Sequence, residues 1–267
     1  MRRRLVDSRT QAAELIATGA VLVGGSRADK PARLVAPDEA VVIRADPSRF
    51  VGRGAHKLSA ALTGFGLDPT ELRAVDVGSS TGGFTDCLLQ AGARSVVALD
   101  VGRNQLHERL RADPRVTSKE QTDVRSVSPA ELGGPFDIVV ADLSFISVRS
   151  VAAELVALAR PGCDLVVLVK PQFEAGRKEA SRHKGVIRDP AVWEAALVAA
   201  ATSLAQAGTA IIGIMESPLR GADGNVEFLV RARRHGGQQG ASEHSELEGW
   251  AEMVRLAVLS AASGEGG

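Results

Sequence analysis

From Arg73 to Val230 the chain alternates short, nearly unbroken apolar runs with longer amphipathic stretches. The runs Ala74–Val77, Ser95–Leu99, Val116–Lys119, Phe136–Ala141, Leu165–Val169, Ala210–Met215 and Val226–Val230 predict seven strands. Between them, helical spacing predicts helices over Gly83–Gln90, Gln105–Ala112, Val148–Ala159 and Ala191–Gln206. Strands of Val, Ile and Leu with no polar face must be covered on both sides, so the pattern predicts an α/β domain around a mostly parallel sheet. A helix is also expected from Lys57 to Phe65. Residues 236–249, rich in Gly, Gln, Ser and Glu, read as a mobile tail, followed by an amphipathic stretch over Trp250–Leu259.

Upstream the pattern is smaller in scale. Ser8–Gly19 reads as a capped helix, Ala20–Val23 and Ala40–Ile43 as strands, and Gly24-Gly25 as a turn. The expected division is a small α/β module over residues 1–45, a linker and helix start over 46–58, the main domain over 59–235, and a tail over 236–267.

Charge sharpens this division. The 267 residues carry no net charge, yet residues 1–57 hold eleven Lys and Arg against six Asp and Glu. A basic patch on a neutral protein suits docking to a polyanion. Cys87 and Cys163 lack metal-site spacing and read as free thiols, and the five histidines form no ligating pair, so no metal is expected. Met1-Arg2-Arg3-Arg4 is followed by no apolar core of a signal peptide, and no apolar run reaches membrane-spanning length. The expectation is a cytoplasmic protein without a membrane partner.

Candidate chemistry collects where the predicted strands end. Gly78, Asp100, Asp142 and Lys170 each follow a strand, and ligands of such sheets bind beyond those ends. Gly78-Ser79-Ser80-Thr81-Gly82-Gly83-Phe84 is a strand–turn–helix junction that fits either a nucleotide-type cofactor or an ordinary tight turn. Asp100 is placed to accept from ribose hydroxyls, and Asp123, after the third strand, from an exocyclic amine or merely to form a turn.

Five motifs in order carry a resemblance: Gly54-Ala55-His56-Lys57-Leu58, Asp76 to Asp86, Ala141-Asp142-Leu143-Ser144-Phe145-Ile146-Ser147, Lys170-Pro171-Gln172-Phe173-Glu174, and Ser217-Pro218-Leu219 with Gly224-Asn225-Val226-Glu227-Phe228. Together the chain resembles the TlyA-type proteins, and its start resembles the S-four-like RNA-binding fold. The resemblance implies a Rossmann-like class I methyltransferase with a seven-stranded sheet, using S-adenosyl-L-methionine to methylate cytidine ribose 2′-hydroxyls in ribosomal RNA. The large subunit's RNA is the expected substrate, with the small subunit's RNA an additional substrate in some members.

It further implies a catalytic tetrad of Lys57, Asp142, Lys170 and Glu227, and cofactor contacts from Gly78, Ser80, Gly82, Gly83, Phe84, Asp100 and Asp123. Lys170 is expected to take the hydroxyl proton, with purely electrostatic steering as the alternative. Arg3, Arg4, Arg9, Lys30, Arg33, Arg53 and Arg177 are the expected RNA contacts. Where the family carries an aromatic run after Asp100-Val101-Gly102, this chain has Arg103-Asn104-Gln105-Leu106-His107-Glu108, exchanging apolar surface for charge. A monomer acting on ribosomal RNA or subunits is expected; the competing readings are a noncatalytic ribosome-assembly factor and, from the family's older label, a haemolysin.

Overall fold

The computed structural model describes residues 5–6, 12–13, 15–16, 20–28, 30–37, 39–43, 50–176, 186–236 and 243–263, the last with side chains from 249 onward. Two units emerge, Met1–Phe50 and Val51–Gly267. In the first, β1 (Val21–Val23) pairs antiparallel with β2 (Ser26–Arg27) and β3 (Val41–Ile43), in the order β2-β1-β3. Gly24 and Gly25 both have positive φ, so the two-residue β1–β2 turn matches the right-handed twist of its strands. Leu15, Val21, Val23 and Ala28 form a small core, and the expected helix is seen at Ala12, Ala13, Leu15 and Ile16. The strand β2 is not foreshadowed in the sequence, because two exposed residues leave no hydrophobic period.

In the second unit seven strands run in the order β6-β5-β4-β7-β8-β10-β9. They are β4 (Arg73–Val77), β5 (Ser95–Leu99), β6 (Val116–Lys119), β7 (Phe136–Ala141), β8 (Ala159–Val169), β9 (Thr209–Glu216) and β10 (Phe228–Arg234). Among the described residues of this sheet, only the pairings of β10, with β8 and β9, are antiparallel. Chain order reverses direction at β4, whose neighbours are β5 and β7, and that switch point opens a crevice at the carboxyl ends. The core joins the sheet to helices Ala152–Leu158, Pro190–Gln206 and Glu243–Ser263.

Several elements depart from the periodicity reading, among them these. The first helix of this unit is Gly54–Gly64, so Lys57 is its fourth residue and does not open it. The helix expected over Gln105–Ala112 shrinks to Glu108–Arg111 because His107 caps it, accepting from Arg109 N at 3.1 Å. β8 starts at Ala159, ahead of its apolar half. The amphipathic stretch expected over Trp250–Leu259 is helical, with Trp250, Val254, Ala257, Val258 and Ala261 in the core, and its helix starts earlier, at Glu243, inside the stretch read as mobile.

Candidate active site

The loop leaving β4 is held open by its main chain. Gly78 N and Ser79 N donate to Leu99 O at 2.8 and 3.1 Å, and Gly82 N donates to Ser79 O at 2.8 Å. Gly78 has φ 83°, and a Cβ there would stand 2.6 Å from the carbonyl oxygen of Asp142. Only glycine permits the loop to cross the switch point this closely. Gly82 has φ 99° and leads into helix Gly83–Gln90. The Phe84 ring is buried against Gly54, so what Phe84 offers a ligand is its main chain.

Asp100, at the end of β5, accepts from Ser80 N and Gly102 N, each at 2.7 Å, one on each oxygen. A carboxylate has about four lone-pair sites, so each oxygen keeps capacity for a hydroxyl. Asp123 caps a short 3₁₀ turn and meets the Arg125 guanidinium at 2.6 Å, which holds its carboxyl below the usual range together with Arg125 N. Glu120 receives the amides of Asn104, Gln105 and Leu106. The charged replacement for the family's aromatic run is therefore an ordered turn.

Beneath the loop lies Asp76, fully buried, one oxygen accepting from Thr85 Oγ1 at 2.6 Å. Its other oxygen meets no hydrogen-bond donor among the described residues. Burial pushes its carboxyl up to about 7, the Thr85 hydroxyl opposes this, and the negative charges of Asp142 and Asp100 add to it.

Across the crevice two lysine–carboxylate pairs gather at the ends of β7, β8 and β10. Lys57, inside its helix and 8% exposed, pairs with Glu227, which is 3% exposed. Gly83 brings this helix close: a Cβ on it would be 3.0 Å from Ala55 N. Glu227 immediately precedes Phe228, which pairs with Val169 of β8, so Glu227 and Lys170 flank the same sheet end. Lys170 Nζ lies 2.7 Å from Asp142 Oδ1 and donates to Ser144 Oγ at 2.9 Å. The contact with Asp142 is by charge; hydrogen-bond alignment is met only toward Ser144. Sequence order thus scatters Lys57, Asp142, Lys170 and Glu227 over 170 positions, and the fold gathers them as two ion pairs.

Two further residues escape a reading by strand ends. Phe145 is 90% exposed with φ 65°, a left-handed backbone that aromatic residues seldom adopt. Its ring lies 5.2 Å from that of Phe173, over which Lys170 Nζ sits at 5.8 Å. Glu174 is buried, accepting from Ser147 Oγ and from Val148 N at 2.6 Å, and burial pushes its carboxyl up. The only signal in sequence is an aromatic and an acid inside the two matched motifs.

Of the expected RNA contacts, Lys30 and Arg53 are exposed. Arg33 pairs with Glu39 at 3.2 Å and donates weakly to Val23 O and Arg27 O, so it also braces the small module. Arg3, Arg4, Arg9 and Arg177 lie outside the described residues. Among the described residues no group of His, Cys, Asp and Glu could hold a metal ion, and no helix is long and apolar enough to cross a membrane.

The FtsJ-like methyltransferase family matches residues 50–234, and the S4 domain matches residues 2–41. The chain is 45% identical over 234 residues to the 16S/23S rRNA (cytidine-2′-O)-methyltransferase TlyA of Mycobacterium tuberculosis, covering 87% of each. It is 41% identical to the putative rRNA methyltransferase YqxC of Bacillus subtilis, over 92% of this chain and 88% of that one. A solved putative hemolysin from Streptococcus thermophilus superposes with a TM-score of 0.74 at 34% identity, covering 99% and 95%. An S4 domain followed by an FtsJ-like domain, at such identity across most of the chain, makes this protein a TlyA-type member of the FtsJ-like methyltransferases.

Proposed function

We infer that the chain transfers a methyl group from S-adenosylmethionine to the ribose 2′-hydroxyl of a cytidine in ribosomal RNA. The observation that carries this is the pair of lysine–carboxylate couples, Lys57–Glu227 and Lys170–Asp142, at the mouth of the glycine loop.

The residues around the switch point suit the cofactor. Asp100 has acceptor capacity for two ribose hydroxyls, the amides of Gly83 and Phe84 open a helix, and Asp123 stands beyond the third strand for a base amine. When bound, S-adenosylmethionine supplies the electrophilic methyl group. The buried carboxyl of Asp76 lies at the end of β4, under the glycine loop.

A ribose hydroxyl is a weak nucleophile and must be held in line and relieved of its proton. Lys170 is the group placed to take that proton from the hydroxyl oxygen. Asp142, 2.7 Å away, stabilises the ammonium that results. Lys57 and Glu227 fix each other and present a donor and an acceptor to the ribose. The exposed Phe145 ring offers a stacking surface for the base, and base–aromatic stacking stabilises by about 1–3 kcal/mol. The basic small module, with Lys30 exposed, suits phosphate contacts that set register without reading sequence.

Incubating the purified chain with rRNA and labelled S-adenosylmethionine, then mapping ribose methylation, tests this reading. Label in cytidine 2′-O-methyl groups is expected, and an absence of label from both subunits' RNA would refute it.

A further inference from the structure

We propose that Glu174 is a positioning residue for the acceptor: its buried carboxylate holds the Ser144–Phe145 turn in the shape that receives the target nucleotide. The inference rests on the reading above, since it concerns how that reaction's acceptor side is kept in place.

The turn between β7 and the next 3₁₀ segment carries three groups aimed at the site. Asp142 pairs with Lys170, Ser144 accepts from Lys170, and Phe145 presents its ring to solvent. Phe145 holds φ 65°, which brings its Cβ into conflict with its own backbone. A ring that is 90% exposed gains too little from packing to offset that. The conformation must therefore be imposed from both sides of the turn.

On the entering side, Asp142 N donates to Val77 O at 3.0 Å, tying the turn to β4. On the leaving side, the restraint centres on one side chain. Glu174 accepts from Ser147 Oγ and, at 2.6 Å, from Val148 N, while Arg149 Nη2 returns a bond to Glu174 O at 2.8 Å. Arg149 Nε also lies 3.5 Å from the Glu174 carboxylate. Glu174 itself stands four residues after Lys170, in the short helix Pro171–Glu174 that also carries Phe173. One carboxylate thus locks the turn bearing Ser144 and Phe145 to the element bearing Lys170 and Phe173.

Burial of a carboxylate is costly unless its acceptor sites are filled, and here the donors are those of the turn. An apolar residue at position 174 would fill the space more favourably but leave Val148 N and Ser147 Oγ without this acceptor. The acid is explained by what it restrains.

The test uses the full chain with Glu174→Gln, measuring methyl transfer to rRNA and, separately, S-adenosylmethionine binding by calorimetry. Glutamine keeps one acceptor oxygen and turns an amide toward the second donor, so the turn loses its lock while the volume is kept. The expected result is a higher KM for RNA and a lower kcat, together lowering kcat/KM by about 10- to 100-fold, with cofactor Kd within about twofold. In a Phe145→Ala background the same substitution should change kcat/KM by no more than about twofold further, because Glu174 acts through that turn. Ser147→Ala, which leaves the carboxylate in place, should give the same pattern at smaller size, and it serves if Glu174→Gln folds poorly.

Unchanged kcat/KM in both variants, with an active wild type, would overturn the inference. So would a parallel loss of cofactor binding, which would make Glu174 a support of the whole fold. An inactive wild type would instead refute the functional reading, and this inference with it.

Discussion

Asp76→Asn is a near-isosteric change at the most deeply buried carboxyl beside the site, and its consequence can be worked out from the structure. Asn keeps an oxygen to accept from Thr85 Oγ1 and cannot ionise. In the folded wild type the Asp76 carboxyl is raised from 3.8 to about 7, with burial the largest cause. At 1.36 kcal/mol per pH unit, that difference corresponds to about 4 kcal/mol. Its sign follows from proton counting. Between the unfolded pKa and about 7 the folded state holds a proton that the unfolded state has lost, so stability falls as pH rises and levels off above 7. About 3 kcal/mol of the loss falls between pH 5 and pH 8. Groups such as Glu174 and Glu216, also raised by burial, contribute equally to both proteins and cancel in the difference. The orphaned oxygen becomes an amide NH₂ without an acceptor, a cost of about 1–3 kcal/mol that does not vary with pH. Urea denaturation of cofactor-free wild type and Asp76→Asn at pH 5 and pH 8 reads the difference. The wild type should lose about 3 kcal/mol relative to the variant on going to pH 8. Parallel pH dependence in the two proteins would show that Asp76 ionises normally in the fold and refute the reasoning.

Other perturbations have equally definite outcomes. Glu227→Ala leaves the buried Lys57 without its carboxylate and should destabilise by about 3–5 kcal/mol, whereas Lys57→Met with Glu227→Leu should recover much of that in a melting experiment while remaining inactive. Gly78→Ala sets a methyl 2.6 Å from Asp142 O at positive φ; a loss of more than about 2 kcal/mol is expected, with weaker cofactor binding by calorimetry, and wild-type values for both would contradict the close crossing. Trp250→Ala should cost about 3–5 kcal/mol in chemical denaturation, because Trp250 is 5% exposed in the core; a change under about 0.5 kcal/mol would mean that the last helix does not dock.

The central sheet was legible because its strands are apolar on both faces and end in polar residues, and Gly78, Asp100, Asp142 and Lys170 do fall just past the ends of the four adjacent strands β4, β5, β7 and β8. The helix expected from Lys57 begins three residues earlier, where Arg53 and Gly54 carry no hydrophobic period. At the tail the amphipathic stretch Trp250–Leu259 was legible, whereas its extension back to Glu243 was not, because those turns are polar and depend on the burial of Trp250 and Val254 further along the same helix. His107 ended one expected helix early by capping its shorter replacement, a backbone event that periodicity does not record. Phe145 and Glu174 were illegible as individuals, since a strained φ and a buried acceptor exist only once β7 and the helix Pro171–Glu174 are side by side.

The central claim is that Lys170, held by Asp142 and Ser144, takes the proton from a cytidine 2′-hydroxyl in rRNA. Its most direct test is Lys170→Ala, measured for 2′-O-methyl transfer to rRNA and for S-adenosylmethionine affinity on the same preparation. The account predicts methyl transfer reduced by about 10²- to 10⁴-fold with affinity nearly unchanged. Methylation at the wild-type rate by Lys170→Ala would contradict it.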